Sequence, residues 1–143
     1  MKKKRDRNRT IERNVMRAPD CKRFTGYKPC FPNTSCEEKC AEPSPFGKRI
    51  LIVNLDAMGN ILVTTSLLPA MKRKYPQSHI SWITLKNAYA LLHNNLFVDK
   101  VYLWEPEGWL ILRHMQFDIV MNVDKSQRSG AFVQALNAKE RLG

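Results

Sequence analysis

Hydrophobic residues gather in short runs that alternate with amphipathic segments from residue 48 onward. The first run, Ile50–Val53, is apolar at four consecutive positions. Because a half-exposed strand would alternate apolar with polar residues, this run predicts a strand buried on both faces, as in a parallel sheet. A polar turn over residues 54–60 follows, and then a helical pattern that ends at the basic residues 72–74. Strand, turn and helix form the first half of a βαβ unit.

The alternation then repeats three times. Predicted strands cover residues 79–85, 100–104 and 117–123, and helical patterns cover residues 87–92, 108–114 and 126–140. Strands that alternate with helices predict an α/β, Rossmann-like domain with a parallel sheet. Pro69 falls inside the first helix and is expected to kink or split it. No strand is predicted after the fourth helix, so we expect four strands, an open edge and a longer protein to cover it.

Composition narrows the class of protein. A chain of 143 residues has room for one ordinary domain with a core. No apolar run approaches the roughly 18 residues of a membrane helix, and no apolar signal-peptide core follows the basic start. Membrane-spanning and secreted proteins are therefore disfavoured. We expect a cytoplasmic protein that could contact the inner membrane peripherally.

The positive charge lies mostly before the predicted α/β domain. Net charge is +11, and residues 1–49 carry 14 Lys or Arg against 6 Asp or Glu. Residues 1–20 are a basic arm with little to bury, so we expect disorder. The arm would suit nucleic acid or the anionic inner membrane, but it has no aromatic residue to stack on bases. A solvated tail is the favoured interpretation.

Four cysteines lie in the next segment, residues 21–47, which is rich in Pro and ends as a linker to the α/β domain, residues 48–143. They are Cys21, Cys30, Cys36 and Cys40. Four thiolates would satisfy a structural zinc ion or an iron–sulfur cluster, and the metal would supply the folding energy of a short loop. Two disulfides or four unlinked thiols are the alternatives. Metal is favoured because disulfides suit secreted proteins.

Polar residues follow the first and fourth predicted strands, and these loops should meet at one sheet edge. The residues are Asp56, Met58, Gly59, Asn60 and Thr64 in the first group, and Asp124, Lys125 and Arg128 in the second. A single glycine excludes the G-x-G-x-x-G fingerprint, but a helix start still favours anions. The two cations suit phosphate or acidic sugars. In the structural alternatives Gly59 makes a turn, Asn60 and Asp124 cap helices, and the cations are solvated.

The stretch 49–76, RILIVNLDAMGNILVTTSLLPAMKRKYP, resembles the N-terminal motif of glycosyltransferase family 9, the lipopolysaccharide heptosyltransferases. That motif is a strand, then L-[GS]-[AS]-[IL]-G-D-[VI]-L, then T-x-P and a helix ending in a basic residue and F/Y-P. The phrase N-x-[YF]-V-D-[KR]-V is matched at residues 95–101, and the strand at 117–120 also fits. A lead-in like residues 21–30, C-[KR]-x-[FY]-x-G-x-[KR]-P-C, precedes the motif in some relatives.

The resemblance implies a two-domain GT-B enzyme, in which the first domain takes a glycolipid or glycan acceptor and the second a nucleotide-sugar donor. Its reaction would be inverting and free of cofactors, often moving heptose from ADP-heptose to lipopolysaccharide core. The family's catalytic base is the acid of the G-D pair, and here that position is Asn60, which cannot act as a base at neutral pH. Asp56 or Asp124 would have to replace it. Ser66 stands where T-x-P has its proline.

The chain lacks the length for a donor domain, so we expect the acceptor-binding half of a transferase that is inactive alone. We expect no nucleic acid among its partners. The competing hypothesis comes from another class of protein. In it, the cysteine segment and basic arm form a metal-stabilised module that binds nucleic acid or an anionic membrane, and the α/β body is inert.

Overall fold

A computed structural model describes residues 21–23, 30 and 44–143. The predicted basic arm, Cys36 and Cys40 lie outside the described residues. In the first of the chain's two units, the backbone N–H of Lys22 donates to the carbonyl oxygen of Ser44 over 2.8 Å. The second unit, Phe46–Gly143, holds the α/β fold.

Strands and helices alternate along the second unit. The strands are Arg49–Val53 (β1), His79–Thr84 (β2), Lys100–Leu103 (β3), Gln116–Asn122 (β4) and Asn137–Leu142 (β5). The helices are Met58–Thr65 (α1), Leu68–Lys74 (α2), Tyr89–Leu92 (α3), Pro106–His114 (α4) and Gln127–Gln134 (α5), with a 3-10 turn at Lys86–Ala88.

All five strands are parallel, in the order β3-β2-β1-β4-β5. At the centre, Ile50 of β1 lies opposite Ile80 on one side and Ile119 on the other. Residues 50–53 are at most 1% exposed, so the apolar run is buried on both faces. The predicted α/β class with a parallel, Rossmann-like sheet is confirmed.

The two faces of the sheet carry separate cores because side chains alternate along β1. Ile50 and Ile52 join the core under α1, α2 and α3, whereas Leu51 and Val53 join the core under α4 and α5. Helix residues complete each core: Ile61 and Leu92 on the first face, and Leu112 on the second. This doubly wound arrangement is the one in which ligands bind beyond the carboxyl ends of the strands.

Pro69 divides the first helical segment, as predicted. It has no N–H to donate, so the hydrogen-bond ladder cannot run through it. The chain turns at Ser66 and Leu67, whose N–H groups donate to Val63 and Thr64. Helix α2 then starts at Leu68 with the proline in its first turn, where a missing N–H costs nothing.

The prediction of a fourth helix over residues 126–140, with no strand after it, is wrong. Helix α5 ends at Gln134, and residues 137–142 form the strand β5 along β4. The segment N-A-K-E-R-L is mostly exposed and lacks the alternation of a half-buried strand, while Ala, Lys, Glu, Arg and Leu favour helices. Backbone pairing with β4 outweighs that local preference, and the Lys139 side chain also contacts Asp118 over 2.7 Å.

The contact between α4 and β3 generates a stability prediction. A methyl group on Gly108 would overlap the carbonyl oxygen of Leu103, whereas one on Gly130 of α5 would meet open space. We expect Gly108→Ala to lower the free energy of unfolding by about 1–3 kcal/mol. Gly130→Ala should raise it by up to about 1 kcal/mol, because alanine favours helix. Urea denaturation measures both, and equal effects of the two substitutions would contradict the packing described.

Candidate functional site at the sheet switch point

The strand order reverses between β1 and β4. From β1 the chain steps outward to β2 and β3, and it then returns to the other side of β1 at β4. The loop after β1 leads to α1 on one face, and the loop after β4 leads to α5 on the other. Loops that diverge in this way leave a crevice at the carboxyl ends of the strands.

One hydrogen bond ties the two loops together. The backbone N–H of Leu55, after β1, donates to Oδ2 of Asp124, after β4, over 2.9 Å. Next to it, the N–H of Val123 donates to the carbonyl oxygen of Val53 over 2.9 Å. The two polar loops predicted to converge on one edge are therefore in direct contact.

Both oxygens of the Asp124 carboxylate are occupied inside the protein. Its Oδ1 accepts from the Ser126 N–H at 2.5 Å and from the Ser129 hydroxyl at 3.1 Å. Burial would raise the pKa of Asp124, but the hydrogen bonds from Ser126, Leu55 and Ser129 outweigh it and hold the pKa below its ordinary value. A buried, ionised carboxylate that already accepts three hydrogen bonds is suited to hold the loops and poorly placed to take a proton from a substrate.

Asp56 differs from Asp124 because its side chain lies in solvent. Its Oδ1 accepts from the Ala57 N–H and its Oδ2 accepts from the Asn60 side-chain amide, each over 2.7 Å. The bond from Ala57 and then the bond from Asn60 hold the pKa of Asp56 below its ordinary value, and the charge of Lys125 acts in the same direction. Asp56 therefore presents an ionised carboxylate at the start of α1, oriented by the residue one helical turn later.

Asn54 and Thr64 support the Asp56 loop from below. Asn54 is 1% exposed; its amide nitrogen donates to the Thr64 hydroxyl over 3.2 Å, and its Oδ1 accepts from the Asp56 N–H over 3.1 Å. The Thr64 hydroxyl in turn donates to the carbonyl oxygen of Asn60 over 2.8 Å. Thr64, predicted to bind an acceptor, thus uses its hydroxyl within the protein. The sequence did not lead us to predict a role for Asn54. A polar residue directly after a buried strand was the signal that could have indicated it.

Two exposed cations follow Asp124. Lys125 and Arg128 both lie on the surface at the start of α5. The Arg128 guanidinium lies 5.8 Å from the ring centre of Trp104, which follows β3. Trp104 itself packs edge-on against Phe132 of α5, with the ring centres 5.1 Å apart. Arg128 thereby rests on an anchored aromatic side chain while its charge stays accessible to an anionic ligand.

The structural alternatives for Gly59, Asn60 and Asp124 are wrong in detail. Helix α1 begins at Met58 after Ala57, so Asn60 lies inside the first turn and Gly59 is an ordinary helical residue without positive φ. Helix α5 is capped by Ser126, whose side chain accepts from the Ser129 N–H; Asp124 lies two residues earlier. Met58 is half exposed at the same helix start.

The predicted metal site stays a prediction. Among the described residues, no group of three or more His, Cys, Asp or Glu lies close enough to hold a metal ion. Cys21 and Cys30 are partly exposed, while Cys36 and Cys40 are outside those residues. The spacing of the four cysteines in the sequence is compatible with either zinc or an iron–sulfur cluster. In the part of the chain that the structure describes, no helix is both long enough and apolar enough to cross a membrane.

Comparison with known proteins points to one group of enzymes. The chain is 26% identical over 103 residues to the lipopolysaccharide core heptosyltransferase OpsX of Haemophilus influenzae, covering 67% of this chain and 30% of that protein. The chain resembles the heptosyltransferases of glycosyltransferase family 9. The resemblance that the sequence motifs predicted is thereby confirmed, although no model of a protein family matches the chain.

Solved structures agree at the level of the fold. A glycosyltransferase family 9 protein from Veillonella parvula matches 66% of this chain and 31% of its own, with a TM-score of 0.59 and 21% identity. The Escherichia coli heptosyltransferase WaaC with ADP matches 64% of this chain and 34% of its own, with a TM-score of 0.57 and 17% identity. The chain therefore spans about a third of the length of the relatives it matches.

The Asp124 tie generates a prediction on stability and pH. We expect Asp124→Asn to lower the free energy of unfolding at pH 7 by about 1–3 kcal/mol, because the amide nitrogen cannot accept a hydrogen bond from a buried N–H. The folded-state pKa is depressed, so the stabilisation is present above the unfolded pKa, about 3.9, and is lost as the pH falls through the folded pKa.

Urea denaturation of both proteins across pH 2–7 measures this effect. The difference between wild type and variant should shrink toward low pH. Glu140→Gln, on the exposed strand β5, serves as the control and should change stability little. A difference that stayed constant with pH would contradict an ionised Asp124 in the tie.

Proposed function

We propose that this chain is the acceptor-binding half of a glycosyltransferase that moves a sugar, heptose from ADP-heptose, onto lipopolysaccharide core or a related glycan. The observation that carries the proposal is the bond from Leu55 to Asp124, which holds an exposed carboxylate, Asp56, beside an exposed cation, Lys125, at the switch point. Support comes from the similarity to the OpsX heptosyltransferase. The donor would bind to a second domain, as in two-domain transferases.

In this proposal Asp56 is the general base. As the acceptor hydroxyl oxygen attacks the anomeric carbon, its proton passes to a carboxylate oxygen of Asp56. The bond from that carbon to the nucleoside diphosphate breaks, and the leaving group takes the electron pair. Asn60 stands where relatives carry the acid, and it would act as a positioning residue that orients the Asp56 carboxylate through its 2.7 Å hydrogen bond. A base must be ionised to act, and the lowered pKa meets that condition at neutral pH.

Lys125 and Arg128 would bind the anionic groups of the acceptor. Both are exposed, and they belong to the loop and first turn that Asp124 holds against the Asp56 loop. A guanidinium forms paired hydrogen bonds with phosphate or carboxylate, and the indole of Trp104 beneath Arg128 limits the side-chain motion lost on binding. Met58, Gly59 and Thr64 would shape the acceptor side of the crevice through the backbone of α1.

Acceptor binding can be tested on the chain itself, without the donor. Deacylated lipopolysaccharide core oligosaccharide should bind in isothermal titration calorimetry, more weakly at high salt. Replacing both Lys125 and Arg128 by Ala should weaken binding by about tenfold or more, since hydrogen bonds to charged groups are involved.

A matched control removes two cations from the opposite edge of the sheet. Lys100 begins β3 and Arg113 lies in the last turn of α4, and both are exposed. The pair Lys100→Ala and Arg113→Ala should bind like wild type. If both double variants lost the same affinity for the oligosaccharide, net charge alone would explain the loss and no site at Lys125 and Arg128 would be needed. Absence of binding by wild type would overturn the proposed acceptor role.

The assignment of base and positioning residue can be tested separately. Asn60→Ala removes one of two hydrogen bonds to the Asp56 carboxylate, so the pKa of Asp56 should rise, as measured by NMR titration of the carboxyl carbon. With a donor-binding half present, the acidic limb of the pH–rate profile should move to higher pH in Asn60→Ala. Asp56→Asn should abolish transfer while acceptor affinity is retained; full activity in Asp56→Asn would exclude it as the base.

A further inference from the structure

Four hydrogen bonds join Asp56 to the interior of the protein in a closed ring. The Asp56 N–H donates to Oδ1 of Asn54 over 3.1 Å, and the Asn54 amide nitrogen donates to the Thr64 hydroxyl over 3.2 Å. That hydroxyl donates to the carbonyl oxygen of Asn60 over 2.8 Å, and the Asn60 amide nitrogen donates to Oδ2 of Asp56 over 2.7 Å. Each residue is bonded to the two beside it in the ring, so none can move without disturbing both neighbours.

The ring connects the core of the α/β unit to solvent. Asn54 is 1% exposed and Thr64 is 7% exposed, whereas Asp56 and Asn60 lie on the surface. A buried amide or hydroxyl that leaves its partner loses a hydrogen bond that water cannot replace, so the buried half of the ring keeps one arrangement. The exposed half is therefore held against a rigid frame.

Helix α1 lacks the side-chain cap that commonly fixes the start of a helix. Its N-cap residue is Ala57, which has no side-chain oxygen to accept from the first turn. Asn60 is the third helical residue, the position from which a capping box reaches back, and its amide reaches Asp56, one residue before the cap. Without the ring, only the bond from the Ala57 N–H would restrain the Asp56 carboxylate.

We infer that Asn54 and Thr64 are positioning residues, which set the orientation of the Asp56 carboxylate from inside the protein. The inference rests on the proposed function, in which Asp56 takes the proton of the acceptor hydroxyl. The carboxylate itself accepts from Ala57 and Asn60, so the two buried side chains act on it indirectly. Proton transfer depends on the orientation of the base, so loss of either buried link should lower turnover and change acceptor binding little.

The chain offers a matched control at Thr84. It ends β2 next to the position where Asn54 follows β1, because Val53 pairs with Ile83. Thr84 is fully buried, and within the described part of the chain its hydroxyl has no hydrogen-bond partner. Thr64→Val and Thr84→Val therefore each replace a buried hydroxyl by a methyl group of similar size, one inside the ring and one outside it.

NMR titration of the Asp56 carboxyl carbon tests the inference on the whole chain, without a donor. In Thr64→Val the pKa of Asp56 should rise toward its ordinary value, because the hydrogen bonds that lower it lose their fixed geometry. Thr64→Ser, which keeps the hydroxyl, and Thr84→Val should both retain the lowered pKa. Asp124 and Lys125, whose charges also act on Asp56, are present in all three variants, so their loss cannot explain a rise.

Asn54→Ala removes the other buried link and should raise the pKa of Asp56 in the same way, since the Asp56 N–H loses its acceptor. Circular dichroism should show the wild-type fold in Thr64→Val, whose side chain keeps its size. An unchanged Asp56 pKa in both Thr64→Val and Asn54→Ala would overturn the inference, whatever the acceptor is.

Transfer assays with a donor-binding half present separate this inference from the proposed function. Thr64→Val and Asn54→Ala should lose about tenfold or more in kcat with little change in the acceptor KM, and Thr64→Ser should recover most of that loss. If Asp56→Asn abolished transfer while Thr64→Val and Asn54→Ala kept the wild-type kcat, the inference would be overturned and the proposed function would stand. Full transfer by Asp56→Asn would overturn the proposed base and the inference together.

Discussion

The hydrogen bond from the Leu55 N–H to the Asp124 carboxylate fixes the geometry of the whole carboxyl edge. Without it, the Leu55 N–H and the Asp124 carboxylate would each lack a buried partner, and the loops would be joined only through the neighbouring bond from Val123 to Val53. The same carboxylate also accepts from Ser126 and Ser129, so one side chain sets both the β1 loop and the start of α5. The accessible groups, Asp56 on one loop and the cations on the other, owe their spacing to the hydrogen bonds of Asp124.

Two aspartates thereby take different tasks through their surroundings. Asp124 is buried and saturated by hydrogen-bond donors, whereas Asp56 has two donors and faces water. Both have depressed pKa values, but Asp56 is exposed and Asp124 is buried. The division of structural and chemical roles follows from burial and hydrogen bonding, and the residue type alone does not determine it.

Sequence reasoning predicted the parts of this fold that depend on strong apolar patterns. Ile50–Val53 could occupy only a buried strand, and Pro69 could only interrupt a helix. Strand β5 escaped prediction because its side chains are exposed, and its formation depends on the unpaired backbone of β4. The convergence of the loops after β1 and β4 could be predicted, because the carboxyl ends of parallel strands meet at one edge of the sheet. The roles of Asn54 and Thr64 could not be predicted, because a hydrogen bond between side chains ten residues apart produces no periodic pattern in the sequence.

The central place of β1 has a consequence for how the chain folds. Its loop bond to Asp124 and the bond from the Arg49 N–H to Asp118 each close a separation of 69 residues. Parallel pairing over such distances is slow, since the entropy of loop closure is lost before the contacts form. During synthesis β1 can pair with β2 early, but its other edge must wait for β4 to leave the ribosome. A strand of four buried apolar residues with one open edge is an aggregation-prone intermediate, so chaperone engagement should be concentrated in that interval.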